Sequence, residues 1–481
     1  MNYDVVIGLE IHAELKSNSK VFCTCKNEFG GSPNTHCCPV CIGLPGALPV
    51  LNKQAVISTV TAGLCFGCTI NERAVFERKN YFYPDLAKAY QISQLEYPVC
   101  LGGGVKLASG KFIRFNRIHL EEDAGKLIHA EKGTVVDYNR AGVPLIEMVS
   151  EPDISSADEA LEFMNKVRDT IVYAGIAECK MQEGGMRADV NVSLKPAGSA
   201  KLGTRTEMKN INSFKMIGRA IEYEIKRQTE ILDAGGKITQ ETRRWDDVKC
   251  KNSSMRSKED SADYRYFPDP DILTVEITAG DILKIRDAVP PLPDALRAKF
   301  VSEYGLTEYD ADVLIADKPS CDFFTGTLHL IKNGGTDNYV SPPIPPKTLS
   351  NYIITVLMAK KIVGEEIAIP TKLFADIALM AEAKKIARNN AVLLMKEAWD
   401  KPELRDKSAE TLAKQYGMLN DLTDDGLFAI IDGVLDKNPQ AKKDYHATPD
   451  KILNFLLGQV MRETKGKADN VKVKEYLLKK L

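Results

Sequence analysis

The chain has 481 residues, 44% of them hydrophobic and 27% charged. That is a length for two to four domains with ample core, and a balance that excludes disordered and fibrous polypeptides. Lys and Arg total 64 against 66 Asp and Glu, so the global charge announces neither nucleic acid nor membrane, and either partner must be met by a local patch.

The opening residues show no basic segment leading into an apolar one, and no run of about 18 apolar residues occurs, which predicts a cytoplasmic protein without a membrane association. Eleven cysteines, an odd number, argue for thiols or metal ligands rather than a disulfide framework. In chain order, Tyr3, Val5, Ile7, Leu9 and Ile11 alternate with other residues, the period of a half-buried strand. Its opposite face carries Glu10, His12 and Glu14. Side chains at i and i+2 stand roughly 7 Å apart, close enough to share a metal or a reacting group. A solvated strand face is the competing reading.

Five cysteines follow between Cys23 and Cys41. Cys23-Thr24-Cys25 and Cys38-Pro39-Val40-Cys41 have the spacing of two knuckles around one tetrahedral, structural Zn²⁺. Cys37, or the pair Cys65 and Cys68, could replace a ligand, although Cys65 to Cys68 reads as the buried end of a helix. A redox pair is the rival, without a thioredoxin-like context to support it. His36 is a bystander in both.

Further along, RIHLEEDAGKL supplies Glu121, Glu122 and Asp123, and VPLIEMVSEPD supplies Glu147 and Glu151, all among apolar neighbours. Acids so placed must neutralise, pair, or hold a cation. Oxygen-rich ligation with one imidazole suits Mg²⁺ or Mn²⁺, and Mg²⁺ suggests phosphate. Ser156 with Glu159 forms a capping-box pattern before Leu161, Met164, Val167, Ile171 and Val172, which recur at helical spacing. In MRADVNVSL the apolar set Ala188, Val190, Val192 and Leu194 leaves Arg187, Asp189, Asn191 and Ser193 on the other side, a second strand with a ligand-grade face. Together the two strands predict a sheet that floors an active site. A second helix runs through Ile217, Ile221, Ile225 and Leu232 and stops at Gly235-Gly236. Basic residues to meet phosphate are Arg78, Lys79, Lys88, Arg205, Lys209, Arg243, Arg244 and Arg265, each also explicable by surface salt bridging.

Clustered prolines in AVPPLPD (Ala288 to Asp294) predict a domain boundary, after which the texture is helical. A second such run, SPPIPPK (Ser341 to Lys347), separates two helical stretches. The expected division is 1–290, 291–405 and 406–481. In the last 21 residues Arg462, Lys465, Lys467, Lys472, Lys474, Lys479 and Lys480 outnumber Glu463, Asp469 and Glu475 seven to three. An RNA backbone could meet that patch, and a solvated helix face would also produce it. No G-x-x-x-x-G-K-[ST] and no G-x-G-x-x-G occurs, which excludes a P-loop nucleotidase. Neither the Gly-Ser-Ser-rich stretch of an amidase nor a glutaminase-type cysteine is present, so any ammonia used must be made elsewhere.

The run DYNRAGVPLIEMVSEPDI (Asp137 to Ile154) closely resembles the signature of the B-subunit family of aspartyl/glutamyl-tRNA amidotransferases. IGLEIHAEL, GLPGALPVLN, RKNYFYPDLAKAYQISQ, HLEEDAGK, EMKNINSF, QETRRWDD, DYRYFPDPDI and FLLGQVMRETKGKAD resemble family blocks in the family's order, over nearly the whole chain. The resemblance implies an α+β fold: an antiparallel-sheet cradle similar to glutamine synthetase, a helical domain, and a small helical tail that contacts tRNA. It implies ATP-dependent conversion of Glu-tRNA(Gln) to Gln-tRNA(Gln) and of Asp-tRNA(Asn) to Asn-tRNA(Asn), through phosphorylation of the side-chain carboxylate and displacement of phosphate by ammonia. An amidase A subunit would supply the ammonia through a tunnel, and a small C subunit would brace the pair. By position, Glu10, His12, Glu122, Glu147 and Asp189 match the family's Mg²⁺ site, and Glu151 matches less closely. Lys79, Arg187, Lys209, Arg243 and Arg265 are the expected phosphate or adenylate contacts, and Cys23, Cys25, Cys38 and Cys41 match the zinc knuckle of the members that keep one. The stretch from Ala311 to Asp400 departs from the Asn-Trp-type motifs expected there. A noncatalytic tRNA scaffold and a stand-alone ammonia ligase of glutamine-synthetase type are the alternatives.

Overall fold

Period-2 alternation sets the architecture of the first half of the chain, and helical periodicity that of the second. A computed structural model describes residues 2–131, 133–180, 184–211, 213–257, 264–336, 344–420, 424–445, 449–464, 468 and 470–481. Lys465, Lys467 and Asp469 of the basic tail and the first three residues of SPPIPPK lie outside the described residues. The chain forms two units, Met1–Pro293 and Asp294–Leu481. No helix among the described residues is long and apolar enough to cross a membrane.

The first unit is built on a ten-stranded mixed sheet. Its strands are β1 (Tyr3–Glu14), β2 (Thr69–Ile70), β3 (Cys100–Leu101), β4 (Gly104–Lys106), β5 (Phe112–Glu122), β6 (Pro144–Ser150), β7 (Met186–Pro196), β8 (Thr206–Ile211), β9 (Glu241–Asp246) and β10 (Lys251–Ser257). The order is β10-β9-β8-β7-β1-β6-β5-β3-β2, with β4 paired to β5. β1 lies at the centre, antiparallel to β6 on one side and to β7 on the other. The sheet is antiparallel except where β8 and β9 run parallel, which corrects the wholly antiparallel expectation. The cause is local: a helix joins those two strands, and a crossover through a helix delivers the next strand in the same direction.

That helix, α3 (Phe214–Asp233), packs with α1 (Lys53–Cys65) and α2 (Ala157–Tyr173) into the core on the apolar face of the sheet. Ile7, Leu9, Ile11, Val190 and Val192 meet Phe163, Val167, Ile171, Ile217 and Ile221 there, all essentially inaccessible. Ser156 caps α2 by accepting from the Glu159 amide, while the Glu159 carboxylate accepts from the amide of Ser155, so the reciprocal half of the predicted capping box is displaced by one residue. α3 is capped by Ala234, followed by Gly235 at φ +77°, a left-handed conformation that favours glycine.

In the second unit, helices Asp424–Lys437, Pro449–Glu463 and Asn470–Lys480 bury Leu427, Ile431, Leu456, Val460, Val473 and Leu477 against one another. Their basic residues face outward, and Lys437 and Lys480 pair with Glu463 and Asp432. Nearer its start, Asp317 caps helix Lys318–Lys332 and forms a buried ion pair with Lys361, the two side chains 3% and 2% exposed. The carboxylate also accepts from the amide of Gly364 at 2.7 Å and from Ser320. Burial works to raise its pKa, but the Lys361 hydrogen bond and those of Ser320 and Gly364 outweigh it and hold the carboxyl below its ordinary 3.8. A depressed acid contributes stability that is present above its unfolded value and lost as pH falls through the folded one. Asp317→Asn leaves Lys361 buried without its counter-charge, at a cost of about 3–5 kcal/mol at neutral pH. Urea unfolding followed by far-ultraviolet circular dichroism should show that loss at pH 7, and the gap between variant and wild type should narrow once the pH falls below 3.8.

Candidate active site

The face of the sheet opposite the three helices is polar, and register decides which side chains meet on it. His12 on β1 stands opposite Arg187 on β7 and Glu147 on β6, and Glu147 stands opposite His119 on β5. Two residues along, Glu10 stands between Asp189 and Val149, with Arg117 beyond. These rows floor a cavity of about 900 Å³, which Lys79, Tyr81, Arg205, Glu207, Lys209, Thr242, Tyr264 and Tyr266 also line.

Two groups of metal-ligand side chains result. In the first, His12, Glu121 and Glu147 have donor atoms within 4.8 Å of one another. His12 Nε2 lies 3.3 Å from Glu147 Oε2 and 3.7 Å from Glu121 Oε1. In the second, Glu10, Asp189 and Glu207 meet the same limit. Lys209 Nζ lies 2.5 Å from Asp189 and 3.0 Å from Glu207, and Asn191 donates to Glu10 at 3.1 Å.

The electrostatics follow from this crowding. Burial raises the Glu10 pKa, and the charges of Glu147, Glu207 and Asp189 raise it further against Lys209. Burial works to lower the pKa of His12, but the Glu147 carboxylate overcomes it and the imidazole is raised. Burial also opposes ionisation of Glu147 and Glu121; the two imidazoles prevail and hold both carboxyls below the ordinary range. Burial likewise resists the charge on Lys209, yet Asp189 and Glu207 keep it firmly protonated.

Of the residues expected from sequence, Glu10, His12, Glu147, Asp189, Lys79, Arg187 and Lys209 line the cavity. Glu122 does not. Neighbours on a strand point to opposite faces, and with Leu120 and Ile118 turned into the core, Glu122 turns with them and Glu121 faces the cavity. Glu122 instead pairs with Lys88 Nζ at 2.5 Å and accepts from the Ile92 amide at 2.9 Å. The same parity removes Arg243, which shares its face with buried Trp245 and bonds to Asn252 and Glu241. Arg265 is exposed and points away, its neighbours Tyr264 and Tyr266 lining the cavity instead. Glu151 pairs with Asn116 outside the cavity. His119, Glu121 and Glu207 were missed as site residues. The alternation of Ile118 and Leu120 with His119 and Glu121 was the available signal, and Glu207 stands two residues before Lys209 on one strand face.

A separate cluster lies in the loop after β1. Cys41 Sγ is 3.4 Å from Cys23 Sγ, 3.6 Å from Cys25 and 3.6 Å from Cys38. Four thiolates about 2.3 Å from one Zn²⁺ define a tetrahedron with edges of roughly 3.8 Å, so the cluster fits that ion. The Cys41 thiol is drawn down to about 4, first by the Cys23 hydrogen bond and also by Lys20. Lys20 is wholly buried, its ammonium 3.5 Å from Cys41 Sγ. Cys37 faces Asn139 and stands apart, as do Cys65 and Cys68.

Residues 5–282 match the family model described as the GatB/GatE catalytic domain, and residues 334–481 match the one described as the GatB domain. The chain is 45% identical to the B subunit of the aspartyl/glutamyl-tRNA(Asn/Gln) amidotransferase of Ruminiclostridium cellulolyticum, over 100% of its own length and 98% of the relative's. It is 45% identical to the protein of the same name from Caldanaerobacter subterraneus subsp. tengcongensis, over 98% and 97% of the two chains.

Metal analysis of the purified chain should find one zinc per molecule after extensive dialysis. Cys41→Ser should abolish it, whereas Cys37→Ser should retain it.

Proposed function

The chain belongs to the GatB/GatE catalytic-domain family, and from that premise we propose that it activates the side-chain carboxylate of misacylated Glu-tRNA(Gln), Asp-tRNA(Asn) or both, using ATP, and amidates it with ammonia. The observation that carries this reading is the pairing, around one cavity, of two anionic ligand groups with five cations, Lys79, Arg117, Arg187, Arg205 and Lys209.

A carboxylate is a poor electrophile. Transfer of the γ-phosphoryl group of ATP to its oxygen gives an acyl phosphate and ADP; ammonia then attacks the carbonyl carbon, phosphate leaves, and the nitrogen loses a proton to give the amide. Bound Mg²⁺ would supply charge neutralisation at the transferring phosphoryl group. Glu10, Asp189 and Glu207 on one side, and His12, Glu121 and Glu147 on the other, are the residues to hold it. Lys79, Arg117, Arg187 and Arg205 bind and orient phosphate oxygens, while Lys209 holds Asp189 and Glu207 ionised. Lys79 stands 5.0 Å over the ring of Tyr264, so its ammonium is fixed at the cavity edge. The cysteine cluster, with every ligand position filled by sulfur, is structural.

The rest of the reading rests on the relatives. Because they are named as the B component of an amidotransferase, an amidase A subunit that releases ammonia from glutamine and a small C subunit are the implied partners, and the basic face of the C-terminal helices is a surface for tRNA. Family membership also favours the glutamine-synthetase-like cradle, because a mixed sheet with a polar floor serves the same carboxylate chemistry.

The test is amide formation by the chain with its partner subunits, ATP, Mg²⁺ and ammonium, on Glu-tRNA(Gln), Asp-tRNA(Asn) and uncharged tRNA. Gln or Asn should form only on charged tRNA; ATP turnover indifferent to tRNA would return the small-molecule ligase. Glu121→Gln should lower kcat by about 10²-fold or more, the scale for loss of one transition-state contact. Glu122→Gln should act on stability through Lys88 and leave kcat within a few-fold, and the reverse ranking would refute this assignment of the two glutamates.

A further inference from the structure

Lys20 is wholly buried, and among the described residues no carboxylate meets its ammonium. Buried charges elsewhere in the chain have an opposite partner, as Glu224 has Arg227 and Lys361 has Asp317. The Lys20 ammonium instead donates to the Cys41 sulfur at 3.5 Å and to the Tyr138 carbonyl at 3.2 Å. Asp137, the acid whose charge reaches Cys37, has its Oδ1 engaged by the amides of Asn34 and Asn139. A buried ammonium without an anion is costly, so the sulfur must carry the negative charge that holds it. The need is mutual, because four thiolates around one Zn²⁺ keep a net negative charge. Among the described residues Lys20 is the only side-chain cation within hydrogen-bond reach of a cluster sulfur. The fold aims it there. Its amide donates to the Cys25 carbonyl at 3.0 Å, and the next amide, of Val21, to the Gly142 carbonyl at 2.9 Å. Its alkyl stem lies along Gly142, where an added Cβ would stand 3.6 Å from Lys20 Cδ.

We propose that Lys20 is the internal counter-charge of the cysteine cluster, its buried ammonium donating to the Cys41 thiolate of the metal-bound centre. The inference rests on the reading of that cluster as a zinc site. Lys20 acts through Cys41 and is a positioning residue. A hydrogen bond with a charge on both sides is roughly twice as strong as a neutral one, and partners of this kind orient metal ligands and tune their basicity. The same ammonium fastens the cluster to the cavity rim: two residues beyond Tyr138, Arg140 donates to the carbonyls of Ala124 and Gly125 at 3.1 Å each, and Ala124 lines the cavity. Metal and lysine thus hold each other in place, and removal of either leaves an uncompensated charge inside the fold.

The experiment has two arms, both on the purified full-length chain. In the wild type, acetylation of lysine amines is mapped by peptide mass spectrometry with zinc bound and again after chelation. Lys20 should escape while zinc is bound and react once it is removed, whereas Lys361, held by Asp317, should escape in both states. A Lys20 that stays unreactive without metal, or reacts with it, overturns the proposal without recourse to any variant. In the second arm Co²⁺ replaces zinc in the wild type and in Lys20→Met, which keeps the length of the side chain and removes its charge. Loss of the donor raises the sulfur lone pair, so the sulfur-to-cobalt charge-transfer band should move to longer wavelength while the ligand-field bands of tetrahedral Co²⁺ remain. Metal affinity should fall by ~10–100-fold, the scale for loss of such a partner. Lys20→Arg, which retains the charge, should shift the band less. A Lys20→Met chain with the wild-type band and affinity overturns the proposal and leaves the zinc reading intact; a wild type that shows no four-sulfur Co²⁺ spectrum removes the zinc reading and this inference with it.

Discussion

Five carboxylates crowd one face of one sheet, Glu121 and Glu147 buried and the others half-buried, and cannot share it unless cations stand among them, a requirement that governs the first unit. Glu10, Glu121, Glu147, Asp189 and Glu207 all line the same cavity. Lys209 sits between Asp189 and Glu207, and Arg187 ties back to Asp123 at 3.3 Å. Burial, with the acids these cations leave unneutralised, pushes the Glu10 pKa up, and Glu147 raises the imidazole of His12 against its burial. Such a face is costly to stability and useful to chemistry, because a site already short of positive charge binds metal and phosphate-bound metal with little rearrangement.

The cost is met on the other side of the same strands. Every apolar residue of β1 from Ile7 to Ala13 is buried against α1, α2 and α3, in a cluster where the Phe115 ring meets those of both Phe66 and Phe163. Fixing that face fixes the register of β1 with β6 and β7, since a slip by one residue would send the apolar set to the cavity and the ligands to the core. The same contacts that fold the sheet therefore place His12 opposite Glu147 and Glu10 opposite Asp189.

Much of this is legible in the sequence, for the same reason. β1 and β7 alternate cleanly, and that alternation alone assigns their polar residues to one face. β5 alternates too, but three consecutive acids, Glu121 to Asp123, obscure the parity, and only the buried Ile118 and Leu120 reveal which glutamate faces which way. Arg243 fails likewise, because the parity of a short strand is set by its neighbours, here the buried Trp245 and the pairing with Met208. Glu207 and Lys209 belong to a strand whose partner across the parallel pairing, β9, comes after a twenty-residue helix. No local pattern announces that a helix will return the chain to the same sheet edge in the same direction.

The displacement of Glu122 from the cavity links the cysteine loop to the site. Lys88, which holds Glu122, lies 5.9 Å from the centre of the Phe22 ring, next to Cys23. Gly43, just beyond Cys41, leaves room for it: a side chain there would meet Lys88 Cγ at 2.9 Å and the Ala87 carbonyl at 3.0 Å, and the residue stands at φ +67°. The sulfur cluster therefore closes a loop whose two ends, Phe22 and Gly43, bracket the lysine that fixes Glu122. Glu122 is the last residue of β5, and its ion pair, together with the Gln91 amide on its carbonyl oxygen at 2.7 Å, pins the strand end where Glu121 turns into the cavity. The cysteine cluster is thus linked through Lys88 and Glu122 to the end of β5, beside Glu121 at the cavity, and loosening it would be felt first there.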